Sequence, residues 1–194
     1  MRLIKKRWFW RISLDTTEAL NLFLAGVETR AYRMALFSVG DSEEALDLVQ
    51  DAMLGFVRRY SSRPEGEWGP LFFKILQNRI TDWYRRTAVR NRFRSWFGNS
   101  GDETDERDDP IQAMPDTNSP DPARSLLNST AAEALKKAVL SLPLRQRQAF
   151  LLRAWEGMDV AQTAFAMGCS TGSVKTHYSR AVHSLRSLLE EFRP

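Results

Sequence analysis

Residues 99–131 decide what this chain can build. They hold eight Asp or Glu against two Arg, four prolines (Pro110, Pro115, Pro120 and Pro122) and few apolar side chains, none at helical spacing. Such a stretch buries too little apolar surface to offset the entropy of ordering. It is also longer than most connections inside compact domains. A flexible acidic linker is therefore expected there, leaving a lobe at 1–98 and a second at 132–194. Charge divides the same way. The first lobe holds 17 basic and 11 acidic residues and the second 9 and 5, so net charge runs +6, −6, +4 and sums to the +4 of the 194-residue chain.

Both lobes read as all helical. Apolar positions recur at three and four residues, and no Asn-Gly or Asp-Gly pair sits between alternating apolar runs. Leu20, Leu24, Val27, Ala31 and Met34 form one stripe. Ala45, Leu48, Ala52 and Phe56 form a second after the Gly40-Asp41-Ser42 break, where Asp41 or Ser42 is placed to cap. A third helix is expected from about Pro70 through Phe72, Ile75, Leu76 and Ile80 into Trp83. In the second lobe the stripe Ala134, Leu135, Ala138, Val139 and Leu142 ends at Pro143, and a helix carrying Phe150, Leu151 and Ala154 runs to Gly157. Two short helical patterns follow, Asp159 to Ala166 and Thr171 to about Leu189, joined by Met167-Gly168-Cys169-Ser170. That is the layout of a helix-turn-helix.

On the last helix, Val174, Tyr178, Ala181, Leu185 and Leu188 fall on one side, toward the lobe's core. The opposite side then presents Lys175, Thr176, Ser179 and Arg180, with Ser173 and His177 at its margins. These are side chains that grip phosphate and read base edges. A second basic site, Arg79, Arg85, Arg86, Arg90, Arg92 and Arg94, is interleaved with Trp83, Tyr84, Phe93 and Trp96. Cations with rings suit an exposed single strand, although the same rings also suit a core.

Catalysis lacks its parts. Gly168-Cys169-Ser170-Thr171-Gly172 fits the G-x-S-x-G pattern of a nucleophile elbow, but a helix precedes it, and no acid lies between Ser170 and the last histidine, His183. Neither phosphate-cradling glycine loop is present. Two histidines and one cysteine are too few for an ordinary structural zinc site, so no metal, cofactor or small-molecule substrate is expected. A lone cysteine and the absence of an export signal or membrane span point to the cytoplasm.

The motifs resemble those of the extracytoplasmic-function (ECF) sigma factors of bacterial RNA polymerase, in the sigma-70 family. Asp47-Leu48-Val49-Gln50-Asp51 with Phe56 resembles that family's D-L-x-Q-[DE] helix, and Leu71 to Asn78 resembles W-L-Y-R-I-A-x-N. Leu142-Pro143 with Arg147 resembles L-P-x-x-x-R, and Gly172-Ser173-Val174-Lys175 onward resembles x-G-T-V-K-S-R-x-x-R-A. The resemblance implies a non-enzymatic specificity subunit. Asp47, Leu48, Gln50, Asp51 and Phe56 would dock on the β′ clamp of core RNA polymerase, with the β flap as a further contact. The loop Ser61 to Gly69 and the helix bearing Asn78, with Trp68, Arg79, Trp83, Arg85 and Arg86, would take the −10 element as single strand. Ser173, Lys175, Thr176, His177, Ser179 and Arg180 would enter the major groove of the −35 element. The linker would thread the polymerase channels, and an anti-sigma factor is an expected partner.

The chain departs from the pattern at Leu71, where tryptophan is usual, and at His177, where arginine is usual. The basic aromatic start, Lys5 to Trp10, is expected to be an arm packing on the first lobe. The competing reading is a stand-alone helix-turn-helix regulator with an N-terminal sensing lobe.

Overall fold

The computed structural model describes the backbone of residues 3–97 and 130–190 and the side chains of 17–90 and 134–190. The linker expected at 99–131 lies outside these residues except for Thr130 and Ala131, which open a helix. The backbone of Lys5 to Trp10 is helical, while its side chains lie outside the description.

Among the described residues seven α-helices follow in order: α1 (Leu3–Val39), α2 (Ser42–Tyr60), α3 (Glu65–Phe97), α4 (Thr130–Leu140), α5 (Leu144–Phe150), α6 (Val160–Met167) and α7 (Thr171–Leu188). No strand occurs among the described residues. The α1–α2 corner forms where expected. Gly40 takes φ 80°, a left-handed conformation that glycine adopts without penalty. The Asp41 carboxylate caps α2, accepting from the amides of Glu43 and Glu44 at 2.9 Å each. Ala31, Ala35, Ala45 and Ala52 are fully buried, and their small side chains let α1 and α2 approach closely. Phe23, Phe56, Trp68 and Phe72 then fill the space above α3, with ring centroids 5.4–6.2 Å apart.

Helix α3 begins a turn earlier than Pro70. Pro64 immediately precedes its first residue and accepts from the Glu67 amide at 2.9 Å. Most of the expected loop Ser61 to Gly69 is thus the first turn of α3, and Pro70 lies inside the helix near its start.

The helix expected to reach Gly157 changes character. After α5 the chain winds as a π-turn over Leu151–Trp155, with the Glu156 amide donating to Leu151 O at 3.0 Å, and stops at Gly157, φ 71°. Single π-turns mark places where a helix is re-registered for a purpose. The helix-turn-helix is capped throughout. Asp159 and Gln162 make a reciprocal capping box, and Gly168 at φ 63° ends α6 while the Cys169 amide donates to Ala164 O at 3.1 Å. Ser170 Oγ accepts from the Ser173 amide at 3.1 Å to start α7.

The helices of the second lobe pack on those of the first. Helix α6 lies against α3, and α4 and α5 touch α1. The two lobes are therefore in contact, an arrangement no local pattern in the sequence reveals.

Candidate nucleic-acid interface

Helix α7 divides as its period demands. Val174, Ala181 and Leu185 are buried and Tyr178 is half-buried, its ring 5.9 Å from the Arg153 guanidinium. Lys175, Thr176, Ser179 and Arg180 are exposed, and Ser173 and His177 are half-buried at the edges, as expected. Leu188, expected in the core, is 55% exposed at the last residue of α7, and Leu189 packs against the core in its stead. Thr176 Oγ1 donates to Gly172 O at 3.1 Å, which holds its methyl and hydroxyl in one orientation.

Arg145 organises the corner beneath this face. Its guanidinium donates to Met167 O at 3.1 Å and to Gln148 Oε1 at 3.3 Å, tying α5 to the end of α6. Burial first, and then the charges of Arg145 and Arg180, hold His177 below its ordinary value, so its imidazole is neutral at pH 7. Burial likewise pushes the Cys169 thiol up, against a smaller opposing effect of Arg145. Arg145 escaped the sequence reading; its position two residues after Pro143 was the available signal.

Helix α3 gives a different result for its two halves. Asn78, Arg85 and Arg86 are exposed and Arg79 is half-buried, in a band that continues to Arg90. Trp68 and Trp83, expected among the DNA contacts, are core residues, 2% and 9% exposed. The Trp68 indole donates to Arg63 O at 2.8 Å, and the Trp83 indole donates to Glu44 Oε2 at 2.8 Å, so each ring anchors α3 instead of facing solvent. Tyr84 is buried as well. The rings fall among arginines because one face of α3 is core and the next is not. Phe93 and Trp96 lie outside the described side chains.

Helix α2 is similarly split. Leu48 and Phe56 are buried and hold the helix in place, while Asp47, Gln50 and Asp51 are exposed. Beside them stand exposed apolar residues that sequence reasoning missed: Leu46, Val57 and above all Leu54, 55% exposed. The four-residue steps Leu46 to Gln50 to Leu54 and the three-residue steps Asp51 to Leu54 to Val57 were the legible sign. Asp51 and Arg79 approach to 3.9 Å and link this face to that of α3.

Comparison with known proteins assigns these surfaces to a family. The model of sigma-70 region 2 matches residues 23–96 and that of sigma-70 region 4 matches residues 132–185. The RNA polymerase sigma-E factor of Streptomyces avermitilis is 33% identical over 160 residues, 81% of this chain and 78% of that protein. The ECF RNA polymerase sigma factor SigL of Mycobacterium tuberculosis is 32% identical over 166 residues, 82% of each. This chain belongs to the ECF sigma factors of the sigma-70 family. A further ECF sigma factor, BldN of Streptomyces coelicolor, is 30% identical over 165 residues, which span 56% of its length. The fold of this sigma factor is that of the sigma factor RpoE of Bartonella quintana, solved in complex with the anti-sigma factor NepR. The TM-score is 0.63 over 92% of this chain and 99% of that one, at 24% identity. The sensing-lobe alternative is set aside, since the region 2 match takes in the second half of α1, all of α2 and nearly all of α3. Among the described residues no helix is long and apolar enough to cross a membrane, and no three His, Cys, Asp or Glu are grouped to hold a metal.

Proposed function

We propose that this sigma factor binds core RNA polymerase through the exposed face of α2, meets the −10 strand with α3 and reads the −35 duplex with α7. The domains would be 1–98 and 132–194 with 99–131 as the acidic linker, a division supported by the two family matches. The chain makes and breaks no bonds; it contributes binding energy that opens DNA inside the polymerase, in the cytoplasm.

The observation that carries this reading is the sorting of α7. Every side chain of DNA-gripping chemistry on its first two turns faces outward or lies at the margin, and every large apolar one there is turned inward. Asp47, Gln50, Asp51 and Leu54 form the polymerase-facing patch, with Leu48 and Phe56 fixing the helix that carries them. Asn78, Arg79, Arg85 and Arg86 contact the −10 strand, with Trp68 and Trp83 fixing α3. The neighbour solved with an anti-sigma factor supports a similar protein partner here.

Lys175→Ala with Arg180→Ala tests the division of labour. Binding to −35 duplex is expected to weaken while association with core polymerase survives; loss of core association in that double variant would contradict it.

A further inference from the structure

The outward side of α7 carries one side chain whose orientation is fixed. Lys175 and Arg180 are exposed, long and able only to donate, which suits phosphate. Ser179 is exposed, and among the described residues no hydrogen bond orients its hydroxyl. His177 is half-buried between the charges of Arg145 and Arg180. Thr176 differs from all of these. It is exposed, and its Oγ1 donates to Gly172 O at 3.1 Å. In a β-branched side chain that bond sets χ1. With the hydroxyl hydrogen engaged there, Thr176 offers its surroundings an oxygen lone pair and a methyl group.

The methyl is also uncovered. Side chains on a helix lean toward its N-terminus, so that of Thr176 lies over Gly172, which has none of its own. A Cβ on Gly172 would meet only Ser170 Oγ, at 3.7 Å, an ordinary contact, so the packing of the protein does not require glycine there. Thr171 carries the other exposed methyl of the first two turns, but among the described residues no hydrogen bond holds its side chain.

We infer that Thr176 reads a thymine methyl and so selects an A·T pair at one position of the −35 element. The inference rests on the proposed reading of α7 as the −35 surface. In the major groove the thymine methyl is the apolar group that base pairs display, and adenine N6 of the same pair donates to an oxygen that can only accept. A G·C pair meets that oxygen with cytosine N4 but gives the Thr176 methyl no partner. Serine stands at this place in the motif that the segment resembles, so the methyl is an addition of this chain.

The test uses holoenzyme formed from the full chain and core polymerase, with a promoter it selects from a random library. Each thymine of the −35 element is replaced singly by deoxyuridine, which removes the methyl and keeps the pairing. At one position binding is expected to weaken about fourfold, the contribution of one buried methyl. Thr176→Ser, an exposed change expected to leave the unfolding midpoint in place, should bind the thymine and deoxyuridine duplexes equally there, while Thr171→Ser keeps the difference. At the same position 5-methylcytosine paired with guanine should bind about fourfold better than cytosine for the wild type, and no better for Thr176→Ser. A selected element without an A·T pair, a scan flat at every thymine, or a deoxyuridine loss that persists in Thr176→Ser would overturn the inference and leave the proposed function standing. A holoenzyme that selects no −35 sequence would overturn the reading of α7, and this inference with it.

Discussion

The guanidinium of Arg147 donates a 2.6 Å hydrogen bond to the phenolic oxygen of Tyr84, joining residues 63 positions apart in two lobes. Both groups are buried, and Ser38 O accepts from each. Losing one member therefore leaves the others short of partners in a place water does not reach. Tyr84→Phe is expected to lower stability by about 1–2 kcal/mol and Arg147→Met by about 3 kcal/mol, because the arginine also serves the end of α4. Thermal unfolding of the full chain checks this; equal losses for the two variants would show that the α4 carbonyls find other partners.

Leu54 is 55% exposed near Asp51 on α2, so its methyl groups contribute little to the isolated fold. Leu54→Ala is expected to leave the unfolding midpoint unchanged and to weaken polymerase binding by about 2 kcal/mol, about thirtyfold in Kd. Titration of labelled protein with core enzyme reads the change. An unchanged Kd would mean that the patch lies outside the contact.

Gly168 occupies a left-handed conformation at φ 63°, and a Cβ built on it meets nothing within 4 Å. Gly168→Ala is therefore expected to cost about 1 kcal/mol through backbone strain alone, and Gly168→Asn less. Urea denaturation separates the two. Ser170→Ala removes the α7 cap and is expected to cost about 1 kcal/mol by the same measurement.

His177 titrates below 6.5 in the folded chain, so the unfolded chain binds the proton more readily. Its contribution to stability is whole above pH 6.5 and is lost as pH falls below that value through the lower one of the folded chain. The unfolding temperature is expected to drop more steeply between pH 7.5 and 5.5 in the wild type than in His177→Gln. Comparing the two also subtracts Glu156, whose carboxyl is raised by burial against the pull of Arg30 and contributes with the opposite sign.

What the sequence disclosed and what it hid follow from the range of the interactions. The Gly40-Asp41 corner, the Gly168 turn, the Ser170 cap and the outward face at Lys175, Thr176, Ser179 and Arg180 are each set within one or two helical turns, so pattern reveals them. Trp68 and Trp83 were harder to place. A ring beside an arginine looks alike in sequence whether it faces solvent or core, and only the packing of α2 on α3 decides it. Thr81 is polar yet buried on α3, where it accepts from Gln148 of α5, so no apolar stripe announced this contact with the second lobe. Arg147 stood out as part of a motif, but its partners at Ser38 and Tyr84 lie 109 and 63 positions away and no local rule reaches them.

The central claim is that this chain directs polymerase to promoters. The most direct measurement is a pull-down of the purified full chain with bacterial core RNA polymerase, followed by transcription from a library of random promoters. The expected result is core binding and a defined promoter set with paired −35 and −10 elements. Failure to bind core, with duplex DNA still bound through α7, would contradict it.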